Sequence, residues 1–236
     1  MLERLRREVV AANVELVERG LVVGTFGNAS GVDRERGLVA IKPSGVGYGE
    51  LKAEDLVVTD LGGRVVEGEL RPSSDLETHL ELYREFGEIG GVVHTHSEYA
   101  TAWAQAGREI PALGTTHADY FHGAVPVTAE LGEEEVGEDY VLNTGRAIVR
   151  RFREGGIDPV GMPGVLVAGH APFTWGGDAL EAAYHAEMLE VVARMAYYTV
   201  MLQPGRVGIS QALLDRHHYR KHGAEATYGQ GGVGWR

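Results

Sequence analysis

The order of the short apolar runs constrains this chain most. Leu38-Val39-Ala40-Ile41-Lys42 follows the polar turn Asp33-Arg34-Glu35-Arg36-Gly37, so it pairs with the segment before it as a hairpin. Leu56-Val57-Val58-Thr59 and Arg64-Val65-Val66, joined through Gly62-Gly63, form a second hairpin. Further on, the runs Gly91-Val92-Val93-His94-Thr95-His96 and Gly164-Val165-Leu166-Val167-Ala168 are separated by helical stretches. Hairpins first, then strands interleaved with helices, predict an α/β fold with a mixed or largely antiparallel sheet covered by helices.

The helices have their own signals. Residues 2–19 carry Leu2, Leu5, Val9, Ala12, Val14 and Leu16 or Val17 on one side, and Gly20 ends the run. Ser74-Asp75-Leu76-Glu77 reads as a capping box opening a helix to about Phe86. Helices follow near Tyr99–Gln105, Thr144–Glu154, Leu180–Leu202 and Ser210–Lys221. No repeat or linker divides the chain, so residues 1–230 are expected to form one domain and 231–236 a Gly-rich tail.

Charge and composition exclude several functions. Aspartate and glutamate number 34 against 22 lysines and arginines, for a formal charge of -12, which disfavours nucleic acid and anionic membrane as partners. Without cysteine there are no disulfides, thiolate metal sites or cysteine nucleophile, leaving histidine and carboxylate as strong metal ligands. The N-terminus alternates charge and leucine, unlike a signal peptide, and the apolar run Met188–Leu202 is short and interrupted by Glu190 and Arg194. A cytoplasmic protein is expected.

His94 and His96 lie two apart on a strand and so project together. His170 closes the other buried strand in Ala168-Gly169-His170-Ala171-Pro172. Three imidazoles converging from two strand ends suit a catalytic zinc with an open position; the alternative is two half-exposed strand histidines and an unrelated third. The loops Gly27-Asn28-Ala29-Ser30, Lys42-Pro43-Ser44-Gly45 and Pro72-Ser73-Ser74-Asp75 offer N–H groups, hydroxyls and a helix N-terminus for a phosphate, with Lys42 as a cation, or are simply turns. Asp75 either complements its helix dipole or joins a site. Asp119, in Gly114-Thr115-Thr116-His117-Ala118-Asp119-Tyr120, reads as an acid or base or, on the residues alone, as a solvated loop aspartate. The run His217-His218-Tyr219-Arg220-Lys221-His222 reads as a solvated helix end.

Taken in order, these segments resemble the class II aldolase and L-ribulose-5-phosphate 4-epimerase family from Met1 to about Gln230. The likeness also covers Met162-Pro163-Gly164-Val165-Leu166-Val167, Leu213-Leu214-Asp215 and Arg220-Lys221-His222-Gly223-Ala224. The resemblance implies a three-layer α/β/α fold with a central, mainly antiparallel sheet, assembled as a fourfold symmetric homotetramer. It implies zinc, or another divalent cation such as manganese or cobalt, on His94, His96 and His170, with Asp75 beside it. Aldolases of the family commonly carry glutamate at the Asp75 position, so the aspartate favours the epimerase branch and a place in arabinose catabolism. The phosphate of a sugar-phosphate substrate is expected among Asn28, Lys42, Ser44, Gly45, Ser73 and Ser74. Asp119 and Tyr228 are the implied proton-transfer groups, supported by Thr115, His217 and Arg220, with Tyr228 supplied from a neighbouring subunit and His217 and Arg220 accompanying it. Rival readings are an aldolase acting on L-fuculose or L-rhamnulose 1-phosphate, and a non-catalytic binding module.

Overall fold

The computed structural model describes residues 2–222 together with Ala226; Tyr228 and the Gly-rich tail lie outside the described residues. Helix α1, Leu2–Glu18, buries Leu5, Val9, Ala12 and Leu16 at helical spacing, while Val17 stays exposed. It stops at Gly20, whose φ of 68° permits the bonds Gly20 N to Val17 O and Leu21 N to Leu16 O, both 2.9 Å.

Seven strands follow: β1 (Asn28–Asp33), β2 (Leu38–Ile41), β3 (Val57–Asp60), β4 (Val65–Glu67), β5 (Gly91–His94), β6 (Gly164–Leu166) and β7 (Pro172–Gly176). They form one sheet in the order β4-β3-β2-β1-β5-β7-β6, and each neighbouring pair is antiparallel. Both expected hairpins are present. The sequence reading did not include β7, and β5 ends at His94, leaving Thr95 and His96 beyond the ladder.

Helices cover both faces, as expected for a three-layer α/β/α fold. Helix α2 is Leu76–Glu85, α3 Glu98–Gln105, α4 Thr115–Ala118, α5 Glu133–Gly137, α6 Tyr140–Gly155, α7 Ala179–Leu202 and α8 Gln211–His222. On one face α1 and the start of α7 pack over Ala29, Ala40, Val58 and Val93. These positions are small on both sides, Ala179, Ala182, Ala183 and Ala186 coming from α7, so the helix sits close. At Gly91 the approach leaves no room for a side chain, since a Cβ would lie 2.3 Å from the Asp178 carbonyl oxygen.

On the other face α2, α3 and α6 cover Val39, Ile41, Val57, Val92, Val165, Phe173 and Trp175. Trp175 packs between Phe86 and Phe152 with ring centroids 5.3 and 5.2 Å away. Truncating such a buried ring costs about 3–5 kcal/mol. Among the described residues no helix is long and apolar enough to cross a membrane.

Candidate metal centre

The centre grows from one cross-strand row. Asn28 on β1 pairs with His94 on β5, and His94 pairs with Phe173 on β7, so the three side chains share a face. Phe173 stacks on the His94 ring at 4.2 Å. The carbonyl of Pro172 sits 2.9 Å from His94 Nδ1, so Nδ1–H donates to it and Nε2 keeps its lone pair. That lone pair faces His96 Nε2 at 3.1 Å. His170, in the turn between β6 and β7, completes a group whose ligand atoms all lie within 4.8 Å of one another.

Two observations show that this group suits a cation. His170 Nδ1 is buried without a hydrogen-bond partner among the described residues, and two imidazole Nε2 atoms confront each other across a gap that at most one hydrogen can fill. Burial lowers the pKa of all three histidines, and pushes that of His94 down to about 3 despite the pull of Asp75. They are therefore neutral and free to ligate near neutral pH. An all-nitrogen set with a nearby carboxylate accepts zinc, cobalt or manganese.

Asp75 occupies the N-cap position of α2, but its side chain makes no capping bond, so the capping box read from Ser74 and Glu77 does not form. The carboxylate instead turns toward the sheet. Asn28 Nδ2 donates to its Oδ2 at 2.7 Å, and Ser73 Oγ lies 3.5 Å from the same oxygen. Burial alone would raise the Asp75 pKa. His94, His79, the Asn28 hydrogen bond and His170 together more than offset that and hold it below the usual carboxylate value.

Backbone bonds draw two of the small-residue loops together beside this centre. Ser73 N–H donates to Lys42 O at 3.0 Å, Ser44 N–H to Arg71 O at 2.9 Å, and Pro43 bridges Pro72. Lys42 is 2% exposed, and its ammonium meets the Pro43 carbonyl at 3.4 Å and the Tyr48 ring face at 4.7 Å, with no carboxylate at salt-bridge distance among the described residues. Burial lowers its pKa. Ser44, Gly45 and Ser74 are exposed around it, while Asn28 and Ser73 are buried. Tyr48, absent from the sequence reading, also donates to the carbonyls of Phe26 and Gly27 at 2.7 and 2.8 Å, which ties the third loop to Lys42.

Asp119 belongs to a second group. It follows the single-turn α4, where its N–H donates to Thr115 O at 2.9 Å, and it is no solvated loop residue. Its side chain is 13% exposed and is gripped by α8: His217 Nδ1 at 3.0 Å, Arg220 Nη2 at 3.0 and 3.1 Å, Lys221 Nζ at 3.8 Å. His222 Nε2 donates to the Asp119 carbonyl at 2.8 Å. The polar run of α8 is thus a docking face, not a solvated end, and His218 within it is buried. None of these α8 partners belongs to the histidine group, so within one chain the structure assembles two clusters.

In sequence, Glu190 reads only as a polar break in an apolar run. Its carboxylate on α7 accepts from the Tyr99 and Ala100 N–H groups at 2.8 and 2.9 Å, capping α3 directly after His96 and Ser97.

Comparisons with known proteins identify the family and the fold. A sequence profile of the class II aldolase and adducin N-terminal domain matches residues 7–197. Among solved structures, an L-fuculose 1-phosphate aldolase is 28% identical, with a TM-score of 0.78 over 93% of this chain and 96% of its own. The Thermus thermophilus L-fuculose-1-phosphate aldolase is also 28% identical, with a TM-score of 0.67 over 87% of this chain and all (100%) of its own. Klebsiella pneumoniae YgbL, whose description leaves aldolase, epimerase and decarboxylase open, is 25% identical, with a TM-score of 0.73 over 92% of this chain and 99% of its own.

Proposed function

The chain belongs to the class II aldolase family, and from that premise we propose that it converts L-ribulose 5-phosphate to D-xylulose 5-phosphate, inverting carbon 4 by breaking and remaking the bond between carbons 3 and 4. The observation that carries this reading is Asp75. The family resemblance implies glutamate at this position in the aldolases; here the residue is an aspartate, drawn from its helix cap toward His94 and His170 and held by Asn28 at 2.7 Å.

The chemistry follows from the substrate. No carbonyl adjoins carbon 4, so removing its hydrogen directly gives an unstabilised carbanion. Removing the proton of the 4-hydroxyl instead lets the electron pair of the 3–4 bond move onto the carbonyl system. The fragments are the enediolate of dihydroxyacetone and the aldehyde of glycolaldehyde phosphate. With its phosphate anchored, the aldehyde rotates and presents its other face to carbon 3, and the bond re-forms with carbon 4 inverted.

The residues divide the work. Asn28, Lys42, Ser44, Gly45, Ser73 and Ser74 hold the phosphate, which becomes the counter-ion of the buried Lys42 ammonium. Asp119 and Tyr228 carry protons on opposite faces of the aldehyde, and Thr115, His217 and Arg220 support them. His94, His96 and His170, with Asp75 beside them, would hold a divalent cation, which would supply Lewis acidity to the carbonyl system. The Asp119 cluster and the histidine group share no bonding partner among the described residues, which suits a homotetramer in which adjoining subunits complete each site.

The likeness to L-fuculose 1-phosphate aldolases favours a second reading, cleavage with release of both fragments. One experiment separates them. The zinc-loaded protein is incubated with L-ribulose 5-phosphate and, separately, L-fuculose 1-phosphate, and the products are resolved by NMR. D-xylulose 5-phosphate is expected from the first. Net cleavage of the second without epimerisation of the first establishes the aldolase reading, and turnover of neither points to a non-catalytic binding module.

A further inference from the structure

A buried lysine needs a reason to keep its charge, and Lys42 has no ordinary one. It directly follows β2, is 2% exposed, and has no carboxylate at salt-bridge distance among the described residues. An ammonium in such a place has two escapes. It gives up its proton, the direction in which burial already moves its pKa, or its flexible stem swings the head into water. Either escape leaves the small-residue loops without their cation.

One side chain opposes both. The Lys42 ammonium lies over the Tyr48 ring, 4.7 Å from its centroid, and a ring face carries the negative end of the aromatic quadrupole. The chain leaves Lys42, turns back and delivers Tyr48 at the head of a single 3-10 turn, Tyr48–Glu50. Tyr48 is itself 7% exposed, and its one hydroxyl hydrogen is shared between the carbonyls of Phe26 and Gly27, at 2.7 and 2.8 Å. Burial pushes the pKa of this hydroxyl up, so it stays a donor. Tied to one loop by its hydroxyl and to another by its backbone, the ring is held at both ends with its face toward Lys42. The Pro43 carbonyl, at 3.4 Å, is only a weak second contact.

The choice of an aromatic partner has a chemical consequence. A carboxylate beside Lys42 would also hold the ammonium, but it would cancel the charge and repel an incoming phosphate. A ring face attracts the cation while bearing no net charge, so the field of Lys42 stays available to an anion.

We propose that Tyr48 is a positioning residue for phosphate binding: its ring face, aimed by the hydroxyl bonds to Phe26 and Gly27, keeps Lys42 charged and in place before the substrate arrives. This rests on the reading of Lys42 as the counter-ion of the phosphate. The alternative is a core tyrosine that packs beside Lys42 without steadying it.

The test is binding of inorganic phosphate to the full-length, zinc-loaded protein, titrated by phosphorus NMR, with thermal unfolding measured in parallel. Tyr48→Leu removes the ring and Tyr48→Phe only the hydroxyl. Phenylalanines bearing one, two or three ring fluorines, placed at the same position, weaken the quadrupole at nearly constant shape. Tyr48→Leu should bind phosphate about 5- to 30-fold more weakly, the share of competent protein lost with a desolvated cation–π contact. Tyr48→Phe should keep most of the affinity. The fluorinated series should fall stepwise below it, and carries the test should Tyr48→Leu fail to fold. Wild-type phosphate affinity in Tyr48→Leu, or a flat fluorine series, overturns the proposal. Lys42→Met measured alongside separates the premise: wild-type affinity in that variant, or a wild-type protein that binds no phosphate, overturns the counter-ion reading itself.

Discussion

Asp119→Asn isolates what the α8 cluster does, because it removes one charge while preserving shape. The carboxylate receives three Arg220 contacts of 3.0, 3.1 and 3.3 Å and the His217 contact of 3.0 Å, with Lys221 at 3.8 Å. Hydrogen bonds to charged partners contribute about 1.5–3 kcal/mol each. Arg220 has a side chain 37% exposed, so solvent screens its share, and about 2 kcal/mol in total is a fair figure for the loss. That is about a 30-fold shift in an equilibrium.

The loss should be local. Helix α8 buries only Leu214 and His218, and among the described elements its main packing is on α4. Amide protons in α8 should therefore exchange about 30-fold faster in the variant, while those of β1 and β5 keep their wild-type rates. Hydrogen-exchange mass spectrometry reads both at once. Unchanged protection in α8, or an equal loss across the sheet, refutes the idea that this carboxylate docks the helix. Turnover gives a further distinction: a fall far beyond 30-fold assigns Asp119 a part in proton transfer besides its grip on α8.

Two more predictions concern stability. Glu190→Ala removes the acceptor for the Tyr99 and Ala100 N–H groups, which should cost about 2 kcal/mol and lower Tm by about 4–8 °C; an unchanged Tm means that solvent replaces the cap without loss. His117 is buried, its pKa pushed down to about 4 chiefly by burial although the Gly123 carbonyl at 2.6 Å favours its charged form. The unfolded chain, with a histidine pKa of about 6.5, binds this proton first, so the His117 share of stability is intact above pH 6.5, is lost as pH falls toward 4, and reaches about 3 kcal/mol in all. Urea unfolding at pH 7, 6 and 5 should show a shallower pH dependence for His117→Gln than for wild type, and parallel curves count against it.

Elements that depend on local chemistry were readable in advance. Gly20 stops α1 through its own left-handed backbone, and the turns at Asp33–Gly37 and Gly62-Gly63 close hairpins between adjacent runs. β7 was not readable, because it begins at a proline and becomes a strand only by pairing with β5 on one side and β6 on the other. That pairing also decides the centre. The register that sets Phe173 beside His94 brings the Pro172 carbonyl to its ring nitrogen, and the turn into β7 delivers His170. Spacing showed that His94 and His96 share a direction but not where His170 stands. Glu190 read as a polar break in an apolar helix, since the N–H groups it caps lie about 90 residues away in sequence.

Asp75 shows why such residues resist a linear reading. An aspartate at a helix start has two outlets for its charge: the first-turn N–H groups of its own helix, or a tertiary partner. Local pattern favours the first, and Ser74-Asp75-Leu76-Glu77 fits a capping box. The structure takes the second, because Asn28 lies across the row from His94 and donates at 2.7 Å. The fourth-residue repeat Asp75, His79, Tyr83 is visible in the sequence, yet a histidine and a tyrosine on the buried stripe of an amphipathic helix are ordinarily core. Only Ser30, placed opposite both by β1, separates a histidine that merely packs from one that shares a hydrogen bond. The information that distinguishes the two readings is therefore carried by the contact between α2 and β1, and by neither segment alone.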